Sequence, residues 1–262
     1  MSIVLPKKPV AAASKSPNNF MLFSKPKIGK TELLAQLPNS LLIDLEDGSD
    51  FVEAVKIKAS CVDEIIAIGK EIQAEKKATG KDPYQYIILD TITALETMCE
   101  SYAETLYSRK AQGKHWFKRD ANGQLTNDSG KVQYGNILNL PNGAGYAYLR
   151  EAVTKVIEFV KTLAPRIILV CHVKDVLLEK AGAEFTAADL DLTGKIKRIL
   201  SSQSDAIGYM YRKNGNQNIL SFATKDDVAC GARPQHLRNA EIVISEMTDK
   251  GLITHWDKVY ID

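Results

Sequence analysis

Cysteine is scarce in this sequence. Its four residues, Cys61, Cys99, Cys171 and Cys230, lie far apart with no CxxC pair, and its four histidines do not cluster. That spacing excludes a disulfide framework and a zinc knuckle, and it fits buried, reduced thiols in a cytosol. Long apolar runs are also missing: no segment approaches the ~20 apolar residues that span a bilayer. Lys7 and Lys8 are not followed by an apolar stretch of signal-peptide length. The expected location is therefore cytoplasmic, with no membrane partner. Excess charge is absent too: the formal net charge of +2 gives no reason by itself to expect a polyanion partner, so local clusters must carry any such case.

The 262 residues suit one α/β domain with insertions, large enough to bury its own core without staples. Residues 1–18, rich in Pro, Ala, Ser and Lys around the short apolar patch Ile3-Val4-Leu5, read as a flexible arm that does not fold alone. The core is expected over 19–235, with 236–262 as a C-terminal strand extension. Strands are expected at Asn19–Phe23, Ser40–Leu45, Tyr86–Leu89 and Arg166–Val170, the third apolar on both faces as inside a parallel sheet. Helices are expected after the first strand to Pro38, from about Asp63 to Lys77, from Thr93 to Ser108, and along Leu149, Val153, Val156, Val160 and Leu163. Further strands are expected near 206–211, 219–223, 241–245 and 253–256. Alternation of strand and helix predicts a mostly parallel central sheet with helices on both faces. No internal repeat is present. Residues 109–145 follow none of these periodicities, and a loop of that length in a compact domain is usually functional or mobile.

Ser24-Lys25-Pro26-Lys27-Ile28-Gly29-Lys30-Thr31 matches the phosphate-loop pattern GxxxxGK[ST], with Ser24 in place of the first glycine. Such a loop turns successive backbone N–H groups inward and adds the positive end of a helix. Gly29 allows close backbone approach, Lys30 reaches the β and γ phosphates of ATP, and the Thr31 hydroxyl ligates Mg²⁺. With Glu32, these residues form the expected nucleotide-binding segment. Gly-Lys also occurs at Gly69, Gly80, Gly113, Gly130 and Gly194, but none of these is followed by Ser or Thr or lies between a strand and a helix. Serine at position 24 predicts strain if the loop requires a positive φ there.

Three further residues stand at strand ends, where open α/β sheets bind ligands. Asp90 can hold Mg²⁺ through its water shell, or it can cap the following helix. Glu46, in Ile43-Asp44-Leu45-Glu46-Asp47, can orient the attacking water provided that the first and second strands end near one another; Asp47 is the alternative. His172 follows the fourth strand, where a polar side chain can sense the γ-phosphate.

Together, residues 24–31, Ile43-Asp44-Leu45-Glu46, Leu89-Asp90-Thr91-Ile92-Thr93-Ala94-Leu95 and Val170-Cys171-His172-Val173-Lys174-Asp175 resemble the RecA family. The closer likeness is to phage-encoded RecA-like ATPases of the nucleotide-binding and single-strand annealing type, which places the protein in a host cytoplasm. The resemblance implies a RecA-like P-loop NTPase core, Glu46 as catalytic glutamate and His172 at the switch position. It also implies that Lys225 reaches a neighbouring subunit's ATP, although Asp227 replaces a second basic residue there. Arg212 and Arg233 compete with Lys225 for that role.

RecA-type proteins bind single-stranded DNA through two mobile loops, whose counterparts by position are 109–145 and 176–194. In the first, Arg109, Lys110, Lys114, Lys118, Arg119 and Lys131 outnumber Asp120 and Asp128, and aromatic residues include Trp116. Cations that track phosphates, mixed with stacking aromatics, suit nonspecific single-strand binding; a solvated insertion or a lid is the alternative. The second segment is acidic, with Glu179, Glu184, Asp189 and Asp191, and is expected to couple ATP state to neighbours. The resulting expectation is a DNA-stimulated ATPase of a recombination system, self-associating head to tail, with a single-strand-binding protein as a candidate partner. The rival is a nucleotide switch or motor acting on protein or duplex DNA, which fold alone does not distinguish.

Overall fold

A computed structural model describes residues 5, 7–9, 11–12, 14–111, 113, 118–119, 121, 125–126, 136–180, 183–224 and 228–261, with no side-chain description for 118–119, 125–126, 178–180 and 183–185. Its strands are β1 (Asn19–Ser24), β2 (Ser40–Asp44), β3 (Lys56–Lys58), β4 (Tyr86–Asp90), β5 (Lys118–Arg119), β6 (Leu125–Thr126), β7 (Arg166–Lys180), β8 (Ala183–Leu190), β9 (Ala206–Lys213), β10 (Gln217–Ser221), β11 (Gly231–Ala232), β12 (Glu241–Thr248) and β13 (Gly251–Thr254). Its helices are α1 (Lys30–Ala35), α2 (Val62–Thr79), α3 (Ile92–Ser108), α4 (Ala144–Val160) and α5 (Gly194–Gln203).

One large sheet organises the chain, in the order β13-β12-β10-β9-β1-β7-β4-β2-β3. From β9 through β3 every pairing is parallel, whereas β10, β12 and β13 extend the sheet antiparallel. This is the mostly parallel α/β sheet that the alternation of strand and helix predicts. The central strands β2 and β4 are buried at every residue, which explains why their Leu and Ile runs do not alternate. β1 and β2 are not neighbours, since β7 and β4 lie between them. The first two strands thus end on the same side of the sheet without being neighbours, and Glu46 has to reach the phosphate loop past the ends of β4 and β7.

The two faces of the sheet are covered unequally. Side chains of α2, α3, α4 and α5 pack on one face, including Ile65, Leu95, Cys99, Val153, Ile157 and Leu200. The other face carries α1, through Leu33 and Leu34, and the C-terminal residues Leu237, Trp256, Val259 and Tyr260. Trp256 donates its indole N–H to the Leu33 carbonyl at 3.1 Å, fastening the chain's end onto α1. Trp256 falls in a 3₁₀ turn past β13, where a strand through 256 was expected. Within the segment read as a flexible arm, Ser16 is buried and its hydroxyl accepts the Ile261 N–H at 2.9 Å.

The largest departure from the sequence reading follows Val170. β7 does not stop there but continues to Lys180 and turns back as β8, paired in register from Val173↔Leu190 to Lys180↔Ala183. The segment expected as a second mobile loop is thus a β-hairpin rooted at His172. Its alternation of apolar and charged residues (Val173, Asp175, Leu177, Glu179 against Lys174, Val176, Leu178) follows no single face, so period-2 reasoning did not mark it.

Candidate active site

Parallel pairing brings the carboxyl ends of β1, β4 and β2, and the His172 stretch of β7, to one side of the sheet. The register sets Ser24 beside His172, and Asp44 beside Asp90. After Ser24 the chain wraps into the loop 25–29 and enters α1. Its left-handed residues are Lys27 at φ 61° and Gly29 at φ 93°. Ser24 is not among the positive-φ residues. It is a fully buried strand residue whose hydroxyl donates to the Lys25 carbonyl at 2.9 Å, so serine there introduces no backbone strain.

Lys30 lies beneath the loop, 7% exposed, with Nζ donating to the Lys25 carbonyl at 3.4 Å. Burial lowers its pKa from the usual lysine range, while Asp90 and Glu46 pull it back up. Thr31 Oγ1 donates to Asp90 Oδ2 at 2.8 Å. Burial raises the Asp90 pKa, opposed by the Thr31 hydrogen bond and Lys30. The cap of α3 is Thr91, which accepts the Ala94 N–H at 3.2 Å, and the Asp90 carboxylate faces Thr31 instead.

Glu46 reaches this cluster across two strands. Its Oε1 accepts from Thr91 Oγ1 at 2.6 Å, and its oxygens lie 3.0 and 3.1 Å from His172 Nε2. Asp44 shapes the turn that aims it. Buried at the end of β2, its carboxylate accepts the N–H groups of Glu46, Gly48 and Ser49 at 2.9, 3.3 and 2.9 Å. Lys56 of β3 donates to the Ser49 and Val52 carbonyls and closes the same loop. Asp47 turns away and pairs with Lys58 at 3.0 Å, so Glu46 is the acid delivered to the cavity. Thr93 anchors the root of the hairpin, accepting the His172 N–H at 3.2 Å and bonding the Asp191 carbonyl at 3.3 Å. Cys171, packed behind His172, has its thiol pushed up to about 12 by burial and is inert.

These side chains line a cavity of about 520 Å³, bounded by Pro26, Lys27, Gly29, Lys30, Thr31, Glu32, Asp44, Glu46, Asp90, Thr91 and His172. That volume suits a small ligand. The donor set also fits Mg²⁺: one hydroxyl and one carboxylate converge beside the loop 25–29, and Mg²⁺ takes its remaining ligands from phosphate and water. Among the described residues there is no group of three His, Cys, Asp or Glu that could cage an ion unaided.

Other expected residues fall elsewhere. Arg212 lies at the phosphate loop of its own chain, donating to the Ile28 carbonyl at 3.2 Å. Arg233 lies at the opposite end of the sheet, 3.3 Å from Asp205 and also bonded to the Ser202 carbonyl. Lys225 is outside the described residues, as are Lys114, Trp116 and Lys131; Lys118 and Arg119 are described only as the backbone of β5. Arg109 and Lys110 are exposed at the end of α3. Sequence reasoning passed over Asp44, Thr91 and the local contact of Arg212. The first two had a signal, since a carboxylate two residues before Glu46 and a hydroxyl at a helix start are both capping chemistry.

Among the described residues, no helix is long and apolar enough to cross a membrane. A search of curated proteins finds no match to the chain. The family model described as an AAA domain matches residues 16–233, from the end of the N-terminal arm through β11 and including every residue of the cavity. With that match over most of its length and a phosphate loop at its centre, the chain belongs to the AAA-domain family of P-loop ATPases.

Proposed function

We propose that this protein is a RecA-like ATPase of a phage recombination system that binds single-stranded DNA and promotes annealing or strand exchange. The observation that carries the hydrolytic half is the convergence of Lys30, Thr31, Glu46, Asp90 and His172 on one cavity. ATP would lie with its phosphates against the loop N–H groups and the Lys30 ammonium. Thr31 and Asp90 would hold Mg²⁺, which when bound draws charge off the phosphate oxygens. The Glu46 carboxylate would accept a hydrogen bond from water and orient it in line with the γ-phosphorus. Thr91 and His172 now occupy that carboxylate, and a γ-phosphate that engages His172 would release it. The hairpin rooted at His172 would carry the state of the site outward.

The DNA half is supported by a groove of about 760 Å³ where the end of α3, α4 and α5 meet. Lys110, Arg150 and Lys155 line it, together with Tyr107, Tyr148 and the acid Glu151. Lys155 is paired with Glu151 at 2.7 Å, whereas Lys110 and Arg150 have no ion pair among the described residues. Cations beside aromatic rings suit a single-stranded backbone with stacked bases. ATP would hold subunits together head to tail, hydrolysis would release them, and a single-strand-binding protein is a candidate partner.

Steady-state ATP turnover with and without a single-stranded oligonucleotide tests the reading. Stimulation by the oligonucleotide, abolished in Lys30→Ala, is the expected result. Turnover indifferent to single strands would return the protein to a nucleotide switch or motor acting on protein or duplex DNA.

A further inference from the structure

The contact between Arg212 and the phosphate loop joins residues 184 positions apart, at a place where the loop's geometry matters most. Arg212 Nη2 donates to the Ile28 carbonyl at 3.2 Å. The Ile28–Gly29 peptide is trans, the only cis bond among the described residues being Asp90–Thr91. In a trans peptide the carbonyl and the following N–H point in opposite directions. Holding the Ile28 carbonyl toward β9 therefore turns the Gly29 N–H away from β9, and Gly29 lines the cavity. No hydrogen bond among the described residues uses that N–H, although the Gly29 carbonyl already accepts Leu33 N–H at 3.0 Å.

The setting is built for the contact. Arg212 of β9 stands directly opposite Asn218 of β10, and opposed residues of an antiparallel pair share a face. Asn218 is 8% exposed, and its Nδ2 lies 3.9 Å from where a Cβ on Gly29 would stand. Nδ2 donates to Ser245 Oγ at 3.0 Å, which fixes the amide against β12 and leaves Oδ1 buried without a partner. The Ile28–Gly29 peptide is thus backed by two polar side chains of adjacent strands.

We propose that Arg212 is a positioning residue that orients the Ile28–Gly29 peptide so that the Gly29 N–H faces a nucleotide phosphate. It acts on its own chain's site. The proposal rests on the nucleotide-binding reading of the cavity and extends it to the groups that pre-set the loop.

The test is equilibrium binding of a fluorescent ATP analogue with Mg²⁺ to wild type, Arg212→Ala and Arg212→Lys, with melting of each protein free of nucleotide. Arg212→Ala should weaken binding about tenfold, with kcat at saturation within about twofold and the free melting temperature unchanged. Arg212→Lys, which keeps a donor for the carbonyl, should recover much of the affinity. Equal affinity in wild type and Arg212→Ala overturns the proposal, as does a loss matched by lower melting and not rescued by lysine. Failure of wild type itself to bind would overturn the nucleotide reading, and this one with it. Mixing Arg212→Ala with Glu46→Gln at ATP below saturation adds a last control: turnover above that of Arg212→Ala alone would assign Arg212 to a neighbour's site and overturn the local role.

Discussion

The Glu46 carboxylate is held by two side chains from different strands, Thr91 Oγ1 at 2.6 Å and His172 Nε2 at 3.0 Å. Glutamine at 46 keeps the size and can still accept from Thr91, but it cannot draw a proton from water. Glu46→Gln should therefore lower kcat at least about a hundredfold, the lower end of what a positioned base contributes. Nucleotide affinity should stay within a few-fold, so turnover and equilibrium binding must be measured together. Asp44 contributes at the same scale through three backbone N–H groups. Burial raises its pKa, but the hydrogen bonds from Ser49, Glu46 and Gly48 outweigh that effect and hold it below the ordinary 3.8. A depressed carboxylate stabilises the folded state fully above its unfolded pKa and loses that contribution as pH falls through the folded one. Asp44→Asn should accordingly cost about 2 kcal/mol at pH 7, the scale of a hydrogen bond to a charged group. The deficit should narrow in acid below pH 3.8, as urea denaturation at the two pH values would reveal.

At the scale of elements, the strands that carry chemistry were legible because each is apolar and ends in a marked residue. Ser24 and Asp90 could be placed at strand ends from sequence alone, and the phosphate loop from its Gly-Lys-Thr between a strand and a helix, whereas His172, expected just past the fourth strand, lies inside β7. Sheet order was not legible, since nothing local to Ser40–Leu45 says that β4 and β7 separate it from β1. The β7–β8 hairpin was hidden because its stability comes from cross-strand pairing rather than from a periodic face. The partners of Arg212 were hidden for a similar reason, lying 184 residues away. Packing also fixes where α4 begins. A Cβ on Gly145 would lie 1.7 Å from the Ile137 carbonyl oxygen, so α4 and the 3₁₀ turn Ile137–Asn139 meet backbone to backbone. In an open helix Gly→Ala would stabilise by up to about 1 kcal/mol. Here the clash dominates, because the atom struck is backbone and cannot rotate aside. Gly145→Ala should therefore destabilise by about 1–3 kcal/mol, the range of overpacked interiors, read from the shift in denaturation midpoint.

Over the whole molecule, charge is close to balanced, so any affinity for DNA must come from where cations are placed. The nucleotide cavity lies at the carboxyl ends of the parallel strands, while the α3–α4–α5 groove draws on the helices packed over one face of the sheet. The two are lined by separate residues, so a substitution in the groove can change DNA binding without touching the phosphate grip. Lys110 and Arg150 are the informative pair, since neither is neutralised by an ion pair among the described residues. If each contacts one phosphate of a single strand, each neutralisation releases counterions, and the slope of log K against log salt flattens by about 0.7 per lost contact. Lys110→Gln and Arg150→Gln should then each weaken oligonucleotide binding at low salt and flatten that slope by about this amount, with the double variant near twice that. ATP affinity in the same proteins should be unchanged. An unaltered slope in the double variant would remove the groove as the DNA track, because an uninvolved cation leaves counterion release as it was.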